Sequence, residues 1–204
     1  MSLKGLAKKI ENSTVLLLGK PWVGKTYLCH ELAGHFKDVY YFRIDKNFQP
    51  HLYPNSSRII YMNVKDLEDF LKQIAEIDPH QALIVVDSLT LAVYWLRELK
   101  SPVEKRIVNI IRQAVGTGKK LEDGFYDYIL YKLSKFKRHK NTIIVTAHTL
   151  EEKAERVKIS VGELLLRQVE WVLWLRNVNG VRKLECLARR GQVVKPSIEI
   201  AFEV

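Results

Sequence analysis

Short apolar runs alternate with stretches of helical periodicity along most of this chain. Thr14–Leu18 is one such run and predicts a strand. Val39–Ile44, Arg58–Met62, Ala82–Val86 and Thr142–Ala147 predict four more. Between them, Lys25 to Phe36 reads as a helix. Val64, Leu67, Phe70, Leu71, Ile74 and Ile77 fall on one helical face, with Asn63 as the expected N-cap. Strands and helices in alternation predict an α/β fold with a mostly parallel central sheet. Ala82–Val86 is apolar throughout, as a strand covered on both faces requires.

The middle of the chain is helical in pattern. Leu89–Leu99 is apolar, and Val103, Ile107, Ile110, Ile111 and Ala114 form a stripe. Tyr126, Ile129, Leu130, Leu133 and Phe136 form another. Gly116-Thr-Gly-Lys-Lys is a loop. Thr149–Ser160 is polar and charged, with no dominant period. The chain ends differently. Val169–Leu175, Val181–Leu187 and Ile198–Phe202 read as strands, and Asn177-Val-Asn-Gly180 as a hairpin turn. These three are expected to extend the sheet as antiparallel strands at one edge. One domain over residues 1–204 is the expectation, because the length suits one sizeable core.

The first strand runs into Gly19-Lys-Pro-Trp-Val-Gly24-Lys25-Thr26, which is G-x-x-x-x-G-K-[ST] in its strand–loop–helix setting. Such a loop wraps phosphate oxygens with backbone N–H groups, and the following helix N-terminus adds positive potential. The expected phosphate contacts are Gly19, Lys20, Pro21, Trp22, Val23, Gly24, Lys25, Thr26 and Tyr27. Lys25 would reach the β- and γ-phosphates, and the Thr26 hydroxyl would ligate Mg²⁺. The fourth strand leads into Asp87, which would sit at its C-terminal edge beside the first strand and hold Mg²⁺ through water. Hydrolysis also requires a group that orients the attacking water. Asp45 and Asn47, after the second strand, are the candidates. His148 or Thr146, at the end of the fifth, is placed to sense a γ-phosphate.

Charge adds a partner to this picture. The net charge is +10, and it is uneven. Residues 97–140 carry a net +7, residues 149–195 a net +4, and residues 14–96 a net −1. That clustering favours a polyanion such as DNA over a merely soluble surface. Cys29 and Cys186 have no metal or redox spacing and fit buried thiols in a reducing cytoplasm. No apolar run has the length of a membrane span, and the N-terminal segment lacks a signal core.

The order of these parts resembles the RecA/RadA superfamily of recombination ATPases, and within it the short archaeal RadA paralogues of the RadB type. The P-loop Gly19–Thr26, Ile44-Asp45, Leu83-Ile-Val-Val-Asp-Ser-Leu-Thr90, Ile143-Ile-Val-Thr-Ala-His148 and the closing strands carry the resemblance. It implies a RecA-like P-loop core that binds ATP and Mg²⁺ and acts in DNA recombination or repair. His148 stands where the family usually has a Gln that couples the γ-phosphate to a DNA-binding loop. Thr149–Ser160 would be that loop and Leu96–Asp123 would hold the other. Lys119, Lys120, Lys153, Arg156 and Lys158 are then the candidate DNA-backbone contacts.

Two departures from the family carry consequences. Asn47 occupies the place of the usual catalytic Glu, and Trp22 a P-loop position that is often Gly. With only a short segment before the first strand, the separate N-terminal DNA-binding domain and polymerisation segment of full recombinases are expected to be missing. ATP hydrolysis is therefore expected to be weak or slow, with DNA or a recombinase as partner. Homo-oligomerisation is left open, with Arg189 and Arg190 as residues that would complete a neighbour's site. Two other functions fit the same motif: a small nucleotide or nucleoside kinase, and an ATP-binding regulatory module with no nucleic-acid role.

Overall fold

The computed structural model describes residues 2–45, 48–115, 120–149, 168–189, 192–193 and 200–202. The strands are β1 (Thr14–Gly19), β2 (Val39–Arg43), β3 (Ile60–Asn63), β4 (Leu83–Asp87), β5 (Thr142–His148), β6 (Trp171–Val178), β7 (Val181–Arg189), β8 (Gln192–Val193) and β9 (Ile200–Phe202). They form one sheet in the order β3-β2-β4-β5-β1-β6-β7-β8, with β9 also paired to β7. β1 to β6 are mutually parallel along this path. β7 is antiparallel to β6, and β8 and β9 are antiparallel to β7.

Two expectations about the sheet change. β5 lies between β4 and β1, so Asp87 is not on a strand beside the P-loop strand. The first of the closing strands, β6, is parallel to β1 rather than antiparallel. The antiparallel extension begins one strand later, at a hairpin whose turn residues Asn179 and Gly180 have φ of 54° and 84°. Positive φ at both positions matches the right-handed twist of the flanking strands.

The helices are α1 (Leu3–Ile10), α2 (Lys25–Ala33), α3 (Leu67–Glu76), α4 (Leu89–Ala92), α5 (Pro102–Val115) and α6 (Leu121–Leu133). α1 was not expected from the hydrophobic pattern. It turns Leu6, Ala7 and Ile10 inward. The N-cap of α3 is Asp66, whose side chain accepts from the Asp69 backbone N–H, and not Asn63. Asn63 remains in β3 because its strand pairs through to Arg43.

The sheet separates two apolar layers. Leu16, Phe42, Ile84, Val86 and Val145 face a layer closed by α3, α5 and α6. Val15, Leu17, Tyr41, Leu83, Val85 and Ile144 face the layer closed by α1 and α2. Alternation along each strand fixes this division, since successive side chains point to opposite faces. It also decides which polar residues at the strand ends can meet α2. No helix among the described residues is long and apolar enough to cross a membrane.

Candidate nucleotide site

The C-terminal edge of the parallel strands opens into a cleft of about 640 Å³. Pro21, Trp22, Gly24, Lys25, Thr26 and Tyr27 form one wall, and Tyr41, Arg43, Asp45, Asp87, His148 and Arg182 contribute to the others. Lys20 and Val23 face a neighbouring depression, together with Trp174–Asn179. Position at the carboxyl ends of parallel strands is where open α/β sheets bind ligands.

The loop between β1 and α2 is shaped by two glycines. A Cβ on Gly19 would lie 2.6 Å from the Leu175 carbonyl oxygen and 2.8 Å from Val23 Cγ1. Only glycine lets the loop start this close to β6. Gly24 has φ of 100°, the left-handed region, and caps α2. Between them Trp22 also has positive φ, 64°, and the residue is 98% exposed. The first-turn N–H groups of α2 have no intrahelical carbonyls to pair with, and the helix starts at the cleft.

Lys25 is 5% exposed. Its Nζ donates to the Gly19 carbonyl at 2.9 Å and to the Lys20 carbonyl at 2.8 Å. Burial brings its pKa down to about 8, with Asp87 partly opposing that shift. Among the described residues its hydrogen-bond acceptors are these two carbonyl dipoles, with the Asp87 charge nearby, and burial still outweighs them. Phosphate oxygens would supply the remaining counter-charge.

Asp87 is the convergence point. The Thr26 hydroxyl donates to Asp87 Oδ2 at 2.7 Å, the Tyr41 hydroxyl to the same oxygen at 2.6 Å, and the Thr146 hydroxyl to Oδ1. Residues 41, 87 and 146 lie on three neighbouring strands, and parity turns each toward the α2 layer. The intervening β5 therefore does not break the site. It adds Thr146 to it. Burial raises the Tyr41 phenol well above its ordinary pKa, so the phenol stays a donor. A carboxylate flanked by a P-loop hydroxyl is a hard oxygen set, suited to Mg²⁺ with water completing the shell. The donor set and the cleft thus fit a Mg²⁺–nucleotide.

His148 lines the cleft, and its backbone N–H donates to Thr90 Oγ1 at 2.8 Å. Burial, and then the nearby Lys25 charge, lower its pKa, which keeps the imidazole neutral near pH 7. Thr149 N–H donates to the Gly19 carbonyl at 3.2 Å. That carbonyl is also an acceptor for Lys25.

Asp45 lines the cleft. Asn47 lies outside the described residues, as do Lys119, Lys153, Arg156, Lys158 and Arg190. Lys120 is exposed at the N-terminus of α6. Arg189 is at the far end of β7, over the Trp171 ring, with its guanidinium carbon 4.7 Å from the centroid. It does not reach the cleft. Arg182, at the start of the same strand, does reach it. A Cβ on Gly24 would meet its Nε at 3.0 Å. The sequence pattern does not point to Arg182 or Tyr41; Thr146, expected beside His148 at the end of the fifth strand, is found on Asp87. For Tyr41 a signal existed: it shares strand parity with Asp87.

Behind α2 lies an aromatic group. His30 Nδ1 donates to the Thr26 carbonyl at 2.8 Å, and Nε2 accepts from the Tyr61 hydroxyl at 2.9 Å. The His30 ring stacks on Tyr53 with centroids 4.7 Å apart. A carbonyl only accepts, so this pairing fixes the neutral tautomer, and burial lowers the imidazole pKa in the same sense. The group props the first turn of α2, and Phe48 and Tyr53 carry it to the cleft wall.

No protein-family model matches the chain, and no curated protein matches it either. Among solved structures, a crystal structure of the RadB recombinase aligns over 94% of this chain and 87% of its own, with TM-score 0.62 and 18% identity. At that identity the likeness speaks to the fold. With a P-loop at the end of β1, an acid at the end of β4 and an antiparallel closing hairpin, the chain has the RecA-like fold of the RadB type.

Proposed function

We propose that the chain is an ATP-binding, RecA-like accessory factor in DNA recombination or repair, with slow Mg²⁺-dependent hydrolysis and basic loops that contact DNA. One observation carries this reading: Lys25, Thr26 and Asp87 converge at one cleft, with Thr26 Oγ1 2.7 Å from Asp87 Oδ2. Mg²⁺–ATP, when bound, would supply the polarised γ-phosphoryl group and the positive charge that stabilises it. The chain's own residues divide the remaining work. Lys25 and the first turn of α2 hold phosphate. Thr26 and Asp87 hold the metal, Asp87 through water. Arg182 offers a further cation beside Gly24.

Asp45 and neutral His148 would orient water or register the γ-phosphate. Asn47 in place of a carboxylate removes a proton acceptor from the second strand's end, which supports a slow reaction. The Gly19 carbonyl supports a coupling to DNA. It accepts from both Lys25 and Thr149, and Thr149 opens the charged segment 149–160, whose sequence holds Lys153, Arg156 and Lys158. When Lys25 turns to phosphate, that shared acceptor is released. Lys120, Lys153, Arg156 and Lys158, with Lys119, are the proposed backbone contacts.

The test is DNA binding with and without Mg²⁺–ATP over a salt series. ATP should raise the affinity, and affinity should fall steeply with salt as counterions are released. DNA affinity that ignores both ATP and salt would refute the DNA role. Robust phosphoryl transfer to a nucleoside or nucleotide acceptor would replace this reading with a kinase.

A further inference from the structure

Asp78, His80 and His139 meet at the N-terminal edge of the parallel strands, away from the cleft. Their ligand atoms all lie within 4.8 Å of one another. His139 Nε2 is 3.3 Å from Asp78 Oδ1, and His80 Nε2 is 3.5 Å from Asp78 Oδ2. The two imidazole rings are 4.0 Å apart between centroids. We propose that these three residues form a binding site for a divalent transition-metal ion of the zinc, cobalt or nickel class.

The distances suit such an ion. A tetrahedral ion with bonds of about 2.1 Å separates its ligand atoms by roughly 3.4 Å. Both histidine–carboxylate separations lie near that edge length, each to a different oxygen of Asp78. Two imidazoles and one carboxylate are a borderline donor set, which favours these metals over Mg²⁺. The Asp78 and His80 side chains are 75% and 62% exposed, so water has access to complete the coordination. Mg²⁺ belongs at the opposite edge, where Asp87 and Thr26 offer only oxygen.

The cluster is held from beneath. Asn141 is 1% exposed. Its Nδ2 donates to the carbonyls of Pro79 and Phe136, both at 2.7 Å, and its Oδ1 accepts from Ala82 N–H at 2.8 Å. Gln81 N–H donates to the His139 carbonyl at 2.9 Å. The loop carrying Asp78 and His80 is thereby fastened to the turn carrying His139. Pro79 removes backbone freedom between the two loop ligands. Preorganisation of this kind lowers the ordering cost of binding. A bound ion would clip the α3–β4 loop to the turn before β5 and stabilise the fold by mass action.

The test uses the full chain without an affinity tag, titrated with Zn²⁺ alone by calorimetry and with Co²⁺ alone by visible absorption. The expected result is one equivalent bound and a rise in melting temperature with Zn²⁺. Each of His80→Ala, His139→Ala and Asp78→Ala should lower affinity by more than the roughly tenfold that even an outer-shell partner is worth. The melting shift should vanish with it. His80 and Asp78 are exposed, so their variants keep the fold. The proposal is overturned if wild type takes up no more metal than the triple variant, or if Mg²⁺ competes with Zn²⁺ on equal terms.

Discussion

The two edges of the parallel sheet are built on opposite rules. At the N-terminal edge, polar side chains pair mainly with the backbone. Asn141 closes three backbone groups, and Glu170 accepts from Thr14 N–H while pairing with Lys137. At the C-terminal edge, polar side chains pair mainly with each other. Thr26, Tyr41 and Thr146 all address Asp87. Lys25 folds back on its own loop. The first arrangement secures strands and has no reason to change. The second gathers more charge than folding alone requires, and a ligand can take over its contacts.

Substitutions that separate ligand binding from stability test this contrast. The largest effect is expected for Asp87→Ala. It strands three hydroxyls at one spot, those of Tyr41 and Thr146 buried, and leaving a buried donor unpaired costs on the order of 1–3 kcal/mol before relaxation. A net loss of about 3 kcal/mol in denaturant unfolding should accompany loss of the Mg²⁺ dependence of nucleotide binding. Asn141→Ala should cost about 2 kcal/mol by the same reasoning, with nucleotide affinity unchanged. A nucleotide defect in Asn141→Ala would show that the edges are not independent.

Arg182→Ala should leave stability within about 0.5 kcal/mol and weaken nucleotide binding roughly tenfold, which corresponds to about 1.4 kcal/mol. Unchanged affinity would remove Arg182 from the site. The smallest effect near neutrality is the pH dependence. Lys25 loses its proton near pH 8 in the free protein, and phosphate beside it would restore that proton. Binding therefore takes up a proton above about pH 8, and affinity should fall by up to roughly tenfold per pH unit there. The ligand-free fold should respond in the opposite sense. Its lysine pKa lies below the ordinary 10.5, so the unfolded chain holds more protons between the two values and stability rises with pH across that window.

Much of this architecture is legible in the order of residues. Apolar runs such as Leu83–Val86 locate the strands, and Gly19–Thr26 locates the phosphate loop. Strand order is not legible, because the crossovers between parallel strands are settled by packing and leave no local pattern. Hence β5 comes between β4 and β1. α1 escapes notice although Leu3, Leu6, Ala7 and Ile10 have helical spacing, because Lys4, Lys8 and Lys9 crowd so short a segment. Asp66 displaces Asn63 as a cap because β3 continues its pairing one residue further. Tyr41 sits in a hydrophobic strand, where a hydroxyl looks like ordinary β-sheet composition. Only the shared face with Asp87 gives it meaning. Arg182 is harder still, since its place depends on a hairpin folding back across Gly24.

The central claim is that the C-terminal edge is a Mg²⁺–ATP site held by Lys25. Calorimetric titration of Mg²⁺–ATP into wild type and Lys25→Ala tests it most directly. The account predicts one saturable site in wild type and none in the variant. It also predicts that ligand-free Lys25→Ala melts no lower than wild type, because a buried charge short of partners has been removed. Equal binding by the two proteins would contradict the claim.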